Sequence, residues 1–338
     1  MGRALGRECA KNAQSMVRAG KSVMGQKDIS WDTAIKRARH FLPHAQEFDS
    51  TYLNFVRAYA KGSGVPFEDL FTLICEGERT LCTDVMVNSE VTSDGTVLAA
   101  HSEDWTPESE KDVVVIHGEP KDGPSFVVMT LGGFEFVAGM NSAGVSFSGN
   151  SLYSNDERIG VPKKFVSRRI LSSRTVGDAI RAAAPPNRAS SYNNNICHSS
   201  GEMYCVEGSA TDFCLLYPQD GYLVHTNHYL AHKMEKFETL FSGTGGISLE
   251  SGSSSLVRYN RATTLVRRSL GRITMTTLAG ILSDHVNYPG SICCHENAGQ
   301  PVLERSKTTF AVISDLSELK LHACLGNPCR GGWKEFSL

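Results

Sequence analysis

The sequence has no apolar run approaching the roughly 20 residues that a membrane-spanning helix needs. Its ten cysteines contain no Cys-x-x-Cys pair, and neither sign of charge is in excess: 34 Lys and Arg stand against 36 Asp and Glu. A net charge of −2 over 338 residues gives no electrostatic footprint for nucleic acid or for an anionic membrane. The basic pairs Arg168-Arg169 and Arg267-Arg268 are too short to alter that, and read as solvated helix faces. Cys293 and Cys294 are adjacent, so zinc-ribbon spacing is missing. No metal and no cofactor is therefore expected, and most of the cysteines are expected as buried free thiols in a reducing compartment. The opening MGRALGRECAKNAQ lacks the apolar centre of a signal peptide, which predicts a cytoplasmic protein. The final Phe336-Ser337-Leu338 departs from the peroxisomal Ser-Lys-Leu, so peroxisomal placement is only an alternative. No internal repeat is visible.

What is present is a chain that is 41% hydrophobic, enough for a large core, with its elements in blocks. Residues 1 to about 80 predict four helices and no strand: 3–24, 31–42 ending before Pro43, 47–61 ending at Gly62-Ser63-Gly64, and 67–78 after Pro66. At Cys82 the period changes from helical to two. CTDVMVN (82–88), TVLAAHS (96–102) and the runs 112–119, 125–133, 134–140 and 144–150 read as short strands joined by hairpin-length turns. Helices are predicted over 163–173 and 175–185, then strands around 201–209, 211–218 and 221–228. Three helices follow, beginning near Met234, Ser255 and Thr276, and two strands, 307–316 and 318–326, close the chain. Residues 243–255, GTGGISLESGSSS, read as a surface loop. Successive linked strands favour antiparallel sheets over βαβ units. Two sheets with two helical layers make a four-layer αββα sandwich the expected fold; two separate α+β domains also suit the order.

Cys82 stands where the patterns meet. A buried strand cysteine is its ordinary explanation, but this one begins a strand, beside polar Thr83 and Asp84. A thiol and an α-amino group have reference pKa values near 8.5 and 7.7–8.0. Carried on one Cα, the neutral amine can take the thiol proton near neutral pH without a histidine. That amine exists only if the Leu81–Cys82 bond has been cut.

From Cys82 almost to the end, the chain resembles the acyl-coenzyme A:6-aminopenicillanic-acid acyltransferase family, the self-processing N-terminal-nucleophile cysteine hydrolases. The resemblance lies in CTD at 82–84, AHSEDW at 100–105, NSAGV at 141–145, GVP at 160–162, VHTNH at 224–228, NYPGSIC at 287–293 and RSKTTF at 305–310. Each is weak alone; their order and spacing are specific. The resemblance implies cleavage between Leu81 and Cys82, giving a helical chain 1–81 (the α subunit) and a catalytic αββα chain 82–338 (the β subunit). It also implies Asp104 beside the nucleophile, Asn227 in the oxyanion hole and Arg305 completing the site. Asp104 otherwise reads as a turn or capping residue, Asn227 as a strand-end residue, and Arg305 as a surface arginine. His225 and His228 flank Asn227, but their spacing on a strand puts them on opposite faces and argues against shared metal binding. NSAGV reads as a structural hairpin.

The implied activity is that of an amidohydrolase or acyltransferase acting on a small N-acyl amine or acyl thioester through a Cys82 thioester. Its partners would be that substrate and the two chains of one precursor, with no nucleic acid and no membrane. The departure from the family is Leu81, where glycine generally precedes the nucleophile; its side chain crowds the carbonyl that Cys82 must attack. Leu81 is the feature that favours a second possibility, an unprocessed and non-catalytic binding homologue. A metal-dependent hydrolase using His and Cys is a third.

Overall fold

Six helices precede the first strand. In the computed structural model, which describes all residues except 77–79, 243–248, 301, 303 and 304, they are α1 (Gly2–Glu8), α2 (Ala10–Gln26), α3 (Trp31–Arg39), α4 (Leu42–Phe48), α5 (Ser50–Ser63) and α6 (Phe67–Cys75). The four expected helices become six for local reasons. The backbone leaves the helical register at Cys9, between α1 and α2. Pro43 occupies the first turn of α4, where its missing N–H costs nothing, so the proline starts a helix as well as ending one. Asp49 then caps α5, its carboxylate accepting the Tyr52 N–H at 2.8 Å. Gly64, at φ +71°, ends α5 in the left-handed conformation that glycine adopts freely. The polar end of the last predicted helix, at 77–79, lies outside the described residues.

Two antiparallel sheets follow. The first has the order β10-β1-β2-β11-β12-β13, with β1 Leu81–Val87, β2 Leu98–Trp105, β10 Tyr222–His225, β11 Lys307–Asp315, β12 Lys320–Leu325 and β13 Lys334–Ser337. The second runs β3 to β9 in chain order: Val113–Gly118, Phe126–Leu131, Glu135–Asn141, Val145–Asn150, Tyr192–His198, Met203–Gly208 and Phe213–Leu216. The sheets face one another across a shared core in which Met86, Ala99, Phe310 and Val312 meet Val127, Met129 and Met140. Helices α1 to α6, with α7 (Lys163–Leu171) and α8 (Val176–Ala183), cover the outer face of the second sheet. Helices α9 (Leu249–Ser269) and α10 (Met275–Leu282) cover the first, packing Ala262, Val266, Leu278 and Ile281 on Val85, Val87 and Ala100. The fold is the expected αββα sandwich. No helix among the described residues is long and apolar enough to cross a membrane.

The departures from expectation are local. β7, with Asn193, Asn194 and Asn195, was not expected, since asparagine is depleted in strands. It forms because Asn193 and Asn195 hydrogen-bond Asn150 at 3.0 and 3.1 Å in the buried space between the sheets. β13 was also missed; it is a four-residue edge strand. The helix expected from Met234 is a 3₁₀ turn, His232–Phe237. The predicted loop 243–255 falls partly outside the described residues, and its second half is the start of α9. Its serines look loop-like in sequence, but Ser254 and Ser255 are buried and hydrogen-bonded to Gly290 and Asn227.

Candidate active site

The period-two pleat sorts the residues of β1 to opposite faces. Cys82, Asp84 and Met86 point between the sheets, while Thr83, Val85 and Val87 point at α9 and α10. β2 pairs with β1 so that Glu103 lies opposite Cys82 and Asp104 opposite Leu81. The same alternation therefore puts His101 and Glu103 with the thiol, and Asp104 on the helix side.

On the inter-sheet face the Cys82 Sγ lies 3.4 Å from Glu103 Oε2, and 3.6 Å from the Thr80 hydroxyl. Glu103 Oε2 also lies 3.0 Å from His101 Nε2, and the other ring nitrogen of His101 is 3.0 Å from Asp84. Asp84 takes further hydrogen bonds from Ser148 and, at 2.7 Å, from Asn150. Burial of the imidazole works against its charge, but Asp84 and Glu103 on either side outweigh this and lift its pKa to about 10. His101 is thus an imidazolium clamped between two carboxylates. Burial, reinforced by Glu103, pushes the Cys82 thiol well above its usual value, so the intact chain holds it as a thiol. Cys82, His101 and Glu103 lie close enough together to surround a cation. Here, however, His101 offers an N–H to a carboxylate on each side and no lone pair to a metal.

The helix-side face and the strand ends supply the remaining groups. Asn227, just past β10, accepts the Cys82 N–H on Oδ1 at 2.9 Å. Its Nδ2 donates to the carbonyls of Ser151 at 3.1 Å and Thr80 at 3.4 Å, and its own N–H is held by Ser255 Oγ at 2.9 Å. Arg258, from α9 and only 1% exposed, donates to the Cys82 carbonyl at 2.5 Å, to Thr83 Oγ1 at 3.0 Å and to Asn227 Oδ1 at 2.8 Å. Asp104 is buried in β2, neither in a turn nor at a cap. One of its oxygens accepts from Thr308 Oγ1 at 2.6 Å, and the other, Oδ2, is buried without a partner among the described residues. Burial raises its pKa to about 7, with Arg258 opposing.

Three of the four expected residues, Cys82, Asp104 and Asn227, are thus gathered around the start of β1. Arg305 is not brought to them. Its guanidinium donates to the carbonyls of Gln300 at 3.0 Å and Ala298 at 2.9 Å, and lies 3.6 Å from Glu296. The guanidinium on Cys82 is that of Arg258, and nothing in the helical run around it distinguishes that arginine from its neighbours. His101 and Glu103 left a usable signal: the i, i+2 pair His101/Glu103 mirrors Cys82/Asp84 on the neighbouring strand. His225 and His228 do lie on opposite sides. His225 meets Asn150 and Glu207 between the sheets, and His228 meets Ser255 on the helix side.

Comparison with known proteins agrees with this architecture. The N-acylethanolamine-hydrolyzing acid amidase ortholog of Caenorhabditis elegans superposes with a TM-score of 0.51 at 14% identity, over 70% of this chain and 93% of that one. Two single-residue variants of the conjugated bile acid hydrolase of Clostridium perfringens superpose with TM-scores of 0.50 and 0.51, each at 13% identity over 76% of this chain and 97% of theirs. At these identities the likeness is one of fold, that of the N-terminal-nucleophile hydrolases. No curated protein sequence matches the chain. The family model of the acyl-coenzyme A:6-aminopenicillanic acid acyl-transferases matches residues 91–330, most of its length, and the chain belongs to that family.

Proposed function

We propose that this protein is a self-processing cysteine amidohydrolase or acyltransferase, with Cys82 as nucleophile and, after cleavage, as the amino terminus of a catalytic chain 82–338. The observation that carries this is the set of contacts on one residue. Asn227 holds the Cys82 nitrogen, Arg258 holds its carbonyl, and Glu103 stands at its sulfur.

In the intact chain Cys82 is 1% exposed, and Thr80 lies over it, tied by Ser151 at 2.9 Å and Tyr153 at 3.0 Å. A substrate reaches the sulfur only once the segment before Cys82 has moved away. Cleavage begins when the Sγ bonds to the Leu81 carbonyl carbon, its proton passing to Glu103. The C–N bond of Leu81–Cys82 then breaks, and a proton returns to the nitrogen, which becomes the free α-amine. Water hydrolyses the resulting thioester and leaves a Leu81 carboxyl group. Asp104, whose strand partner is Leu81, then faces the new terminus with its unpartnered Oδ2. An ammonium there would satisfy an oxygen that no described residue of the intact chain meets.

In turnover the α-amine takes the Cys82 proton while the thiolate attacks the acyl carbon of a small N-acyl amine or acyl thioester. The Asn227 Nδ2, freed from Thr80, stabilises the tetrahedral oxyanion. Water or an acceptor amine releases the acyl group. The fully buried thiol and Leu81 favour one other possibility, an unprocessed binding homologue.

Intact-mass spectrometry separates the two. Purified wild type should split into masses for 1–81 and 82–338, and Cys82→Ala should stay whole. Wild type that remains whole, still hydrolyses amides, and gives active Cys82→Ala would overturn the proposal. Wild type that remains whole, inert and unlabelled by iodoacetamide at Cys82 would establish the binding homologue.

A further inference from the structure

We propose that His285, Cys293, His295 and Cys329 form a structural zinc site, separate from the groups around Cys82. The four come from two stretches of chain. His285, Cys293 and His295 lie in the irregular segment after α10, and Cys329 lies in the 3₁₀ turn Pro328–Arg330 after β12. One ligand atom from each falls within 4.8 Å of all the others.

The distances have the form of a coordination shell. His295 Nε2 lies 3.1 Å from His285 Nε2, 3.5 Å from Cys293 Sγ and 3.6 Å from Cys329 Sγ. Tetrahedral zinc, with bonds of about 2.0–2.1 Å to nitrogen and 2.3 Å to sulfur, separates its ligand atoms by roughly 3.3–3.8 Å. One imidazole nitrogen carries either one proton or one lone pair, so hydrogen bonding cannot satisfy three polar neighbours at once. A cation between them satisfies all four. Two thiolates and two neutral imidazoles balance the charge of a divalent ion, and this mixed sulfur–nitrogen set selects zinc. Four protein ligands leave no open position, so the site is a clamp and not a source of metal-bound water.

Its surroundings support the ligands and connect them to β2. Asn327 donates to Cys293 Sγ at 3.5 Å, and to the Cys294 carbonyl at 2.7 Å. The Cys294 N–H is bound to Thr308 Oγ1 at 2.9 Å, and the same hydroxyl donates to Asp104 at 2.6 Å. Joining the two stretches would thus fix the segment on which Thr308, the partner of Asp104, rests. The sequence hides the site because its spacings, seven residues, one residue and then 33 residues between ligands, follow no short zinc motif.

Metal analysis of the full chain, expressed with added zinc and purified without chelator, tests the proposal. About one equivalent of zinc per chain is expected, and replacement by cobalt(II) should give intense visible bands and a thiolate charge-transfer band. His285 and Cys329 are exposed, so His285→Ala and Cys329→Ser should fold while losing most of the metal. Cys214→Ser, elsewhere in the fold, should keep it. Chelation should lower the melting temperature of wild type, with recovery on adding zinc. Zinc-free wild type with no cobalt charge-transfer band would overturn the site. So would a Cys293–Cys329 disulfide in peptide maps of the untreated protein, or variants that bind metal as wild type does.

Discussion

The side-chain oxygen of Asn227 accepts the Cys82 N–H at 2.9 Å and an Arg258 N–H at 2.8 Å. Arginine has only donors to offer, so this pair of contacts settles which end of the amide is oxygen. The Nδ2 is thereby aimed at the carbonyls of Ser151 and Thr80. Asn227→Asp should keep the acceptor and replace the donor with a second oxygen. The expected result is a fall in kcat of roughly 10²–10³, the usual effect of removing one oxyanion donor. Steady-state kinetics of processed protein measure it, and an unchanged kcat would place the oxyanion elsewhere.

Arg258 links three parts of the site: the Cys82 carbonyl, Thr83 and Asn227. Removing the donor from these buried acceptors costs roughly 3–5 kcal/mol in all, because each acceptor left unpaired costs about 1–3 kcal/mol. Arg258→Met should therefore lower unfolding stability by about that amount in urea, and should slow cleavage. Arg258→Lys keeps the charge but not the planar fork, so it should recover part of the stability and little of the cleavage rate. Arg305→Met touches no residue of this group and should leave both nearly at wild-type values.

The sandwich was legible because hydrophobic period-two runs separated by turn residues specify antiparallel strands, and because the blocks of strands and helices came in layer order. The pattern failed where polar residues make the structure. Asn193 and Asn195 have no strand preference of their own, and the buried network around Asn150, with the ladders to β6 and β8, holds them in β7. Ser254 and Ser255 likewise look like linker, and are helical because Gly290 and Asn227 take up their hydroxyls. At the site, Cys82, Asp104 and Asn227 lie near strand ends within recognisable motifs. Arg258 reaches them from a helix 176 residues after Cys82, a contact that only packing can reveal.

The His101 clamp predicts a pH dependence. The ring pKa is raised from its ordinary value of 6.5 to about 10, so the folded protein holds that proton more tightly than the unfolded chain does. The stabilisation is fully present below about pH 6.5 and is lost as pH rises through about 10. Thermal unfolding of Cys82→Ala, followed from pH 6 to pH 10.5, should show a steadily falling midpoint. The triple variant Asp84→Asn, His101→Gln, Glu103→Gln replaces the charges with neutral groups of similar shape and should flatten that slope. An equal slope in the triple variant would show that other groups cause it.

In the proposed self-processing, Leu81 sets how fast the intact chain is cut. Its side chain is attached beside the carbonyl that the Cys82 sulfur must approach, and the residue is held in β1 opposite Asp104. Leu81→Gly removes the crowding and also weakens the strand end, since glycine loses more conformational freedom on ordering by about 0.5–1 kcal/mol. Both effects bring the intact chain closer to the transition state for cleavage. A barrier lower by about 1.4 kcal/mol corresponds to tenfold faster processing, which is the expected order of change. Loss of full-length mass after refolding from denaturant gives the rate directly. Glu103→Gln provides the contrast, because it removes the base at the sulfur and leaves the carbonyl as crowded as before. If Leu81→Gly speeds cleavage and Glu103→Gln slows it, then approach and proton removal both contribute to the barrier. Equal rates for Leu81→Gly and wild type, with Glu103→Gln still slow, would move the limiting event from the approach of the sulfur to the loss of its proton.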